Sequence, residues 1–314
     1  MRKLPGLFTV STAVALLASM NVAFATPPSG QSETVEYGRA QQVDNAKVVA
    51  PSGRDVESST YTVAPGGGTG WWTGPGTTAL AVTKGLLKIE EAEGCASRDL
   101  AAGNSTVLPP GKFRLQNAGQ GAVELLANFT GLPHGGGAPL VDGAEPAPPC
   151  AGFAAAAVAS GISTAKSFRG DPSPYFKQSH AAHGGGEAYG AAASKELAVE
   201  AGKDAVMITF ELQPGFSTGW FAHTPHVAVI TKGTWAFYEA RDGKCQIVEE
   251  YHAGDAWIHP THRHLGAVQG NEPVEITVFG FNLKHGEPKP VLGSIPDHLD
   301  FTQAPPSECP TQLR

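Results

Sequence analysis

Charge is scarce in this 314-residue chain: Lys, Arg, Asp and Glu together make up 16% of it, and the formal net charge is −7. Nucleic-acid binding needs clustered Lys and Arg, and with so few cations the reading carries no nucleic-acid partner. Aromatics are also few, at 8%, while Gly (39) and Pro (25) are plentiful. That balance predicts many turns and short strands, hence an all-β protein with loose ends. After residue 25 no stretch reaches about 18 apolar residues, so no membrane span is expected in the mature chain. Glycine runs at 66–68, 135–137 and 184–186 lack the strand-to-helix setting and the Lys-Ser/Thr of a phosphate loop. No Ser-His-Asp or Cys-His arrangement has local support either.

What is present starts with a leader. Arg2 and Lys3 precede the apolar "LFTVSTAVALLASM", and Ala23-Phe24-Ala25 makes a small-x-small cleavage site. This pattern is a secretory signal peptide cut after Ala25, so a secreted, extracellular protein is expected. Losing Arg2 and Lys3 takes the formal charge from −7 to −9. Four cysteines in an exported chain read as disulfides.

The mature chain says nearly the same thing twice. "YTVAPGGGTGWWTGPGTTALAVTKGLLKIEEAEGC" ends at Cys95, and "ITFELQPGFSTGWFAHTPHVAVITKGTWAFYEARDGKC" ends at Cys245. The offset is 149 at Thr-Gly-Trp, 148 at Thr-Lys-Gly and 150 at the cysteines. A period of that size is a duplicated domain, since solenoid repeats run to about 20–50 residues. Each copy ends in a Pro-rich tail with one more cysteine, so the duplication favours Cys95–Cys150 and Cys245–Cys309. "ALAVT", "LLKIE", "VAVIT" and "TWAFYE" read as short strands between Gly, Pro and Asp turns. "AAAAVAS" at 154–160 reads as a short helix and 183–194 as a flexible linker.

These residues resemble the cupin superfamily, specifically secreted bacterial bicupins. The family's first motif carries His-x-His and a later Glu; its second runs Gly, five residues, Pro-x-Gly, two residues, His. In the nearest subgroup the first motif starts Gly-Trp-His-x-His-Pro-Gly. The resemblance implies two tandem jelly-roll β-barrels joined by a short helical or flexible linker. It places barrel one at 26–150, a linker and lead-in segment at 151–204, and barrel two at 205–314. In the first copy Trp72 and Gly74 stand at the histidine positions, and Phe113 or Arg114 stands at the last one. That barrel is expected to hold no metal. In the second copy Phe221 replaces the first histidine, His223 keeps the second, and His226 falls near the acidic position. His264 matches the second motif, with His262 in the same "HRH".

Neutral imidazoles suit borderline metals, so His223, His264, His226 and His262 are candidate ligands for one Mn, Fe, Ni, Cu or Zn ion. Trp220, Phe221 and Trp257 are candidate pocket walls. His252, His259, His134 and His180 are assigned to the surface. Three readings stay open for the cluster: a metal site, a metal-free pocket for a small polar or anionic ligand, or a solvated polar loop. The matching functions are a binding protein for a metal or small ligand, a dioxygenase-type oxidoreductase, and a structural protein of the cell surface. Self-association through sheet edges is allowed, with nothing to fix the copy number.

Overall fold

The computed structural model describes residues 29–136, 140–141, 145–150, 159–182, 194–241, 244–260 and 263–286. The leader, Cys309, His262 and the stretches 154–158 and 183–193 lie outside those residues. Two strands open the described chain, β1 (Ser32–Gln42) and β2 (Ala46–Pro51). The first copy then contributes β3 (Asp55–Gly68), β4 (Trp72–Gly74), β5 (Thr78–Lys84) and β6 (Leu86–Glu91). It continues with β7 (Ala96–Ala101), β8 (Asn104–Leu108), β9 (Gly111–Asn117) and β10 (Val123–Leu132). Between the copies come β11 (Ser160–Gly170), α1 (Ser173–Ala182) and β12 (Ser194–Val199). The second copy holds β13 (Asp204–Leu212), β14 (Ser217–Ala222), β15 (His226–Lys232) and β16 (Thr234–Arg241). It closes with β17 (Lys244–His252), β18 (Ala256–His259), β19 (Arg263–Gln269) and β20 (Val274–Leu283).

The strand order repeats with the sequence. In the first copy β8, β5, β10 and β3 lie side by side, and facing them run β7, β6, β9 and β4. The second copy gives β18, β15, β20 and β13 in one sheet and β17, β16, β19 and β14 in the other. Each unit is a two-sheet jelly-roll barrel, and the fold is all-β, as the turn-rich composition implied. The recurring Thr-Lys-Gly has a backbone cause. Gly85 and Gly233 turn β5 into β6 and β15 into β16 with φ of +83° and +75°. A Cβ at Gly233 would lie 2.5 Å from the Pro273 carbonyl oxygen, so only glycine fits there.

The two units exchange strands. β1, which precedes the first barrel, pairs antiparallel with β13 of the second. β11, which precedes the second barrel, pairs antiparallel with β3 of the first. β2 and β12 pair with each other between them, from Ala46↔Val199 to Pro51↔Ser194. Residues 160–170, read as linker from the sequence, are therefore a sheet strand of barrel one. Polar-apolar alternation in β1 and β11 hid this, because such strands look alike whichever edge they cover. The core between the units is apolar, with Val48, Ala50, Leu197, Val227 and Phe279 all at 1% exposure or less. Cys95 bonds to Cys150, as the duplication favoured, and Cys245 is also disulfide-bonded.

Candidate metal centre

The second barrel gathers histidines on the inner face of its strands. His223 follows β14, His264 sits on β19 opposite Phe221, and His259 ends β18 opposite His226. His223, His259 and His264 each bring one ring nitrogen to a common point, all within 4.8 Å of one another. Their exposures are 4%, 1% and 0%, so the cluster is dry. Ring centroids lie 4.8 Å apart for His223 and His264, 5.6 Å for His223 and His259, and 5.3 Å for His259 and His264.

Outer contacts fix which nitrogen faces inward for two of the rings. The Thr224 carbonyl lies 2.9 Å from His223 Nδ1; a carbonyl only accepts, so Nδ1 carries the proton and Nε2 keeps its lone pair. Glu249 Oε2 lies 2.8 Å from His259 Nε2, which leaves His259 Nδ1 as the lone-pair nitrogen. Glu249 is 3% exposed, and Tyr251 Oη donates to its Oε2 at 3.0 Å. Burial, and the Glu249 carboxylate beside it, push the Tyr251 phenol well above its usual range, so it remains a donor. Lys195 of β12 reaches over the Tyr175 ring, 6.0 Å from its centroid. Burial pulls its ammonium below the usual lysine range, against the attraction of Glu249. His264 is held by packing, stacked on Phe237 at 4.0 Å and edge-on to Phe221 at 5.0 Å.

The sequence-derived residues divide accordingly. His223 and His264 meet. His226 does not join them through either nitrogen. Its Nδ1 faces the Thr224 carbonyl at 3.1 Å, and its Nε2 accepts from Trp257 Nε1 at 2.9 Å. His262 lies outside the described residues. His259, assigned to the surface, is buried and central; it was missed because "HPTHRH" reads as a polar loop. Strand alternation was the available signal, since Trp257 and His259 are two apart on β18 and share a face. His252 and His134 do lie at the surface, with side chains 61% and 78% exposed, while the His180 side chain is outside the description. Phe221 and Trp257 line a cavity beside the histidines, with Phe221 packed as a wall. Trp220 faces the other way, into a small cluster with Leu265 and Ala267.

The first barrel shows what the same frame looks like without histidines. Trp72 pairs with Phe113 where Phe221 pairs with His264. Thr78 pairs with Leu108 where His226 pairs with His259. Phe113, not Arg114, is thus the counterpart of His264. Arg114 instead forms a buried ion pair with Glu90 and lies over the Trp71 ring, 5.3 Å from its centroid.

The three-histidine set fits a transition metal in donor type and burial, and His223 and His259 fit it in tautomer. Bonds of about 2.1 Å to nitrogen would draw the three atoms to roughly 3.4 Å apart, a closure within reach of small ring rotations. No family model matches this chain, and no curated protein does. Among solved structures it aligns with oxalate decarboxylase from Bacillus subtilis at 13% identity, over 82% of this chain and 79% of that one, with a TM-score of 0.30. It also aligns with vicilin from Capsicum annuum at 10% identity, over 73% and 76%, with a TM-score of 0.29. At that distance neither likeness carries chemistry to this chain, whose fold rests on its own repeated strand order.

Proposed function

We propose that this chain is an exported metal-binding protein whose second barrel holds one divalent transition ion on His223, His259 and His264. The observation that carries the reading is the convergence of three buried ring nitrogens within 4.8 Å. Carbonyl and carboxylate acceptors on the far sides of two of the rings support it. Orientation of a ligating imidazole by an outer acceptor is the usual support of a histidine metal site. Three protein ligands leave coordination positions open, and His223 and His264 also line the neighbouring cavity, so the open side faces it. A bound ion would supply Lewis acidity there. No carboxylate among the described residues adds a ligand atom to the cluster, so the reading is of binding rather than of a named reaction. Export follows from the leader, which sets the protein where free thiols become disulfides.

Elemental analysis of the secreted, disulfide-formed protein tests this beside a His223→Ala/His264→Ala double variant and a His259→Ala variant. Near-stoichiometric metal in the wild type, lost from both variants, is the expected result. No metal in the wild type after incubation with Mn, Fe, Ni, Cu and Zn sinks it.

A further inference from the structure

The two barrels differ at one position that decides whether there is room inside. Phe129 of β10 pairs with Glu57 on one side and Thr78 on the other. Gly280 of β20 holds the same place, pairing with Val206 and His226. In barrel one the Phe129 ring fills the interior, edge-on to Trp72 at 5.5 Å and to Tyr61 at 6.3 Å. In barrel two the missing side chain leaves a cavity of about 110 Å³. Val206, Ile208, Phe210, Ile276 and Val278 line it, as do His223, His226 and His264. Among the described residues no Asp, Glu, Lys or Arg lines it.

We infer that this chamber binds a one-ring apolar molecule with a single oxygen donor, of the phenol class, with its ring against the aliphatic wall and its oxygen toward His223 and His264. Size sets the ring: a dry apolar cavity of about 150 Å³ holds benzene, and this chamber is of that order. Charge sets the head group. In the metal-free chamber a carboxylate would bring a full negative charge into a space that no Lys or Arg lines among the described residues, which is costly. A phenol enters neutral, donates a hydrogen bond to an imidazole, and gives its oxygen to a metal where one is bound. The inference rests on the metal reading only in that last contact.

Titration calorimetry with p-cresol tests it on the full secreted protein, in metal-free and zinc-loaded forms, with zinc content measured separately. The wild type is expected to give a saturable isotherm with Kd below about 1 mM, tighter when zinc is bound. Gly280→Phe, which restores the residue of the twin barrel, should weaken cresol at least tenfold and leave zinc content unchanged. Gly280→Ala should bind within a few-fold of wild type, because its Cβ meets only ordinary contacts at 3.4 Å to Leu283 and Val206. Should Gly280→Phe not fold, nuclear Overhauser contacts from cresol ring protons to the methyls of Ile208, Ile276 and Val278 in the wild type place the ligand instead. Cresol bound equally by folded Gly280→Phe, contacts only to other residues, or no saturation by either wild-type form overturns the inference. Cresol binding without zinc uptake supports the chamber and removes the metal reading; zinc uptake without cresol binding does the reverse.

Discussion

Glu249 sets the proton position on His259, and that makes it the residue whose loss separates metal binding from folding. Its carboxylate accepts from His259 Nε2 and from Tyr251 Oη, so the imidazole presents Nδ1 to His223 and His264. Glu249→Gln keeps the volume but offers an amide that can satisfy the ring only in one flip. Removing such an outer partner costs about 10- to 100-fold in metal affinity. We expect that loss in competition titrations with a chromophoric chelator, with less than about 1 kcal/mol lost in denaturant unfolding. A protein that unfolds but whose residual folded fraction binds metal normally would show Glu249 to be purely structural. At this scale the sequence displayed His223 and His264 through the spacing of two motifs. It concealed His259, because the "HPTHRH" that starts there reads as a polar loop, and it oversold His226, whose Trp257 partner comes from another strand. Hydrogen-bond partners across strands depend on register, which a local spacing does not encode.

Among the elements, the exchanged strands are pinned by a clasp that occurs twice. In barrel one Asp55, at the start of β3, accepts from Arg169 Nε of β11 at 2.8 Å, from Gly135 N at 3.2 Å, and faces His134 Nδ1 at 2.8 Å. Arg169 also donates to the carbonyls of Pro133 and Gly136. In barrel two Asp204 of β13 faces His285 Nδ1 at 2.8 Å and Gly286 N at 3.4 Å, with Arg39 Nη1 of β1 at 3.9 Å. Burial alone would raise the Asp55 carboxyl, but the bonds from His134, Arg169 and Gly135 outweigh it and hold it below the usual carboxylate range. His134 is pulled above its usual range by the hydrogen bond and charge of Asp55. The signs fix the window. Stability from Asp55 is present above its unfolded value of 3.8 and is lost as pH falls through its lower folded value. Stability from His134 is full below 6.5 and is lost as pH rises through its higher folded value. Asp55→Asn should therefore cost about 2–3 kcal/mol in urea unfolding near pH 6, shrinking in strong acid. His134→Ala should differ from wild type near pH 5.5 and converge with it well above 7; a constant difference across pH would refute the charged clasp. The clasp histidines stand in matching "LPHG" and "LKHG" stretches after β10 and β20, a match that the surface assignment of His134 passed over. Their Asp and Arg partners, 79 and 35 residues away from His134 in the sequence, were not visible there.

For the molecule as a whole, exchange of β1 and β11 means that neither barrel is complete without residues from the other half of the chain. Deleting the partner strand would uncover the edge of β3 or β13 and the apolar residues beneath it, among them Val56 and Met207 at 0% exposure. The β2–β12 pair and the shared core between the units join them a second time. Two domains on a flexible tether usually unfold in separate steps; two that exchange edge strands lose each other's contacts together. Calorimetry should thus give one transition with a calorimetric-to-van't Hoff enthalpy ratio near 1. A ligand of the second barrel should raise the midpoint of that whole transition, since binding to the folded state stabilises whatever unfolds with it. Zinc or p-cresol is then expected to shift the single endotherm without splitting it. Two resolved endotherms, only one of them moved by zinc, would mean that the strand exchange does not couple the barrels. The duplication itself was legible from Thr-Gly-Trp and Thr-Lys-Gly. The exchange was not, because strand pairing between halves depends on which edge remains open after each barrel has closed.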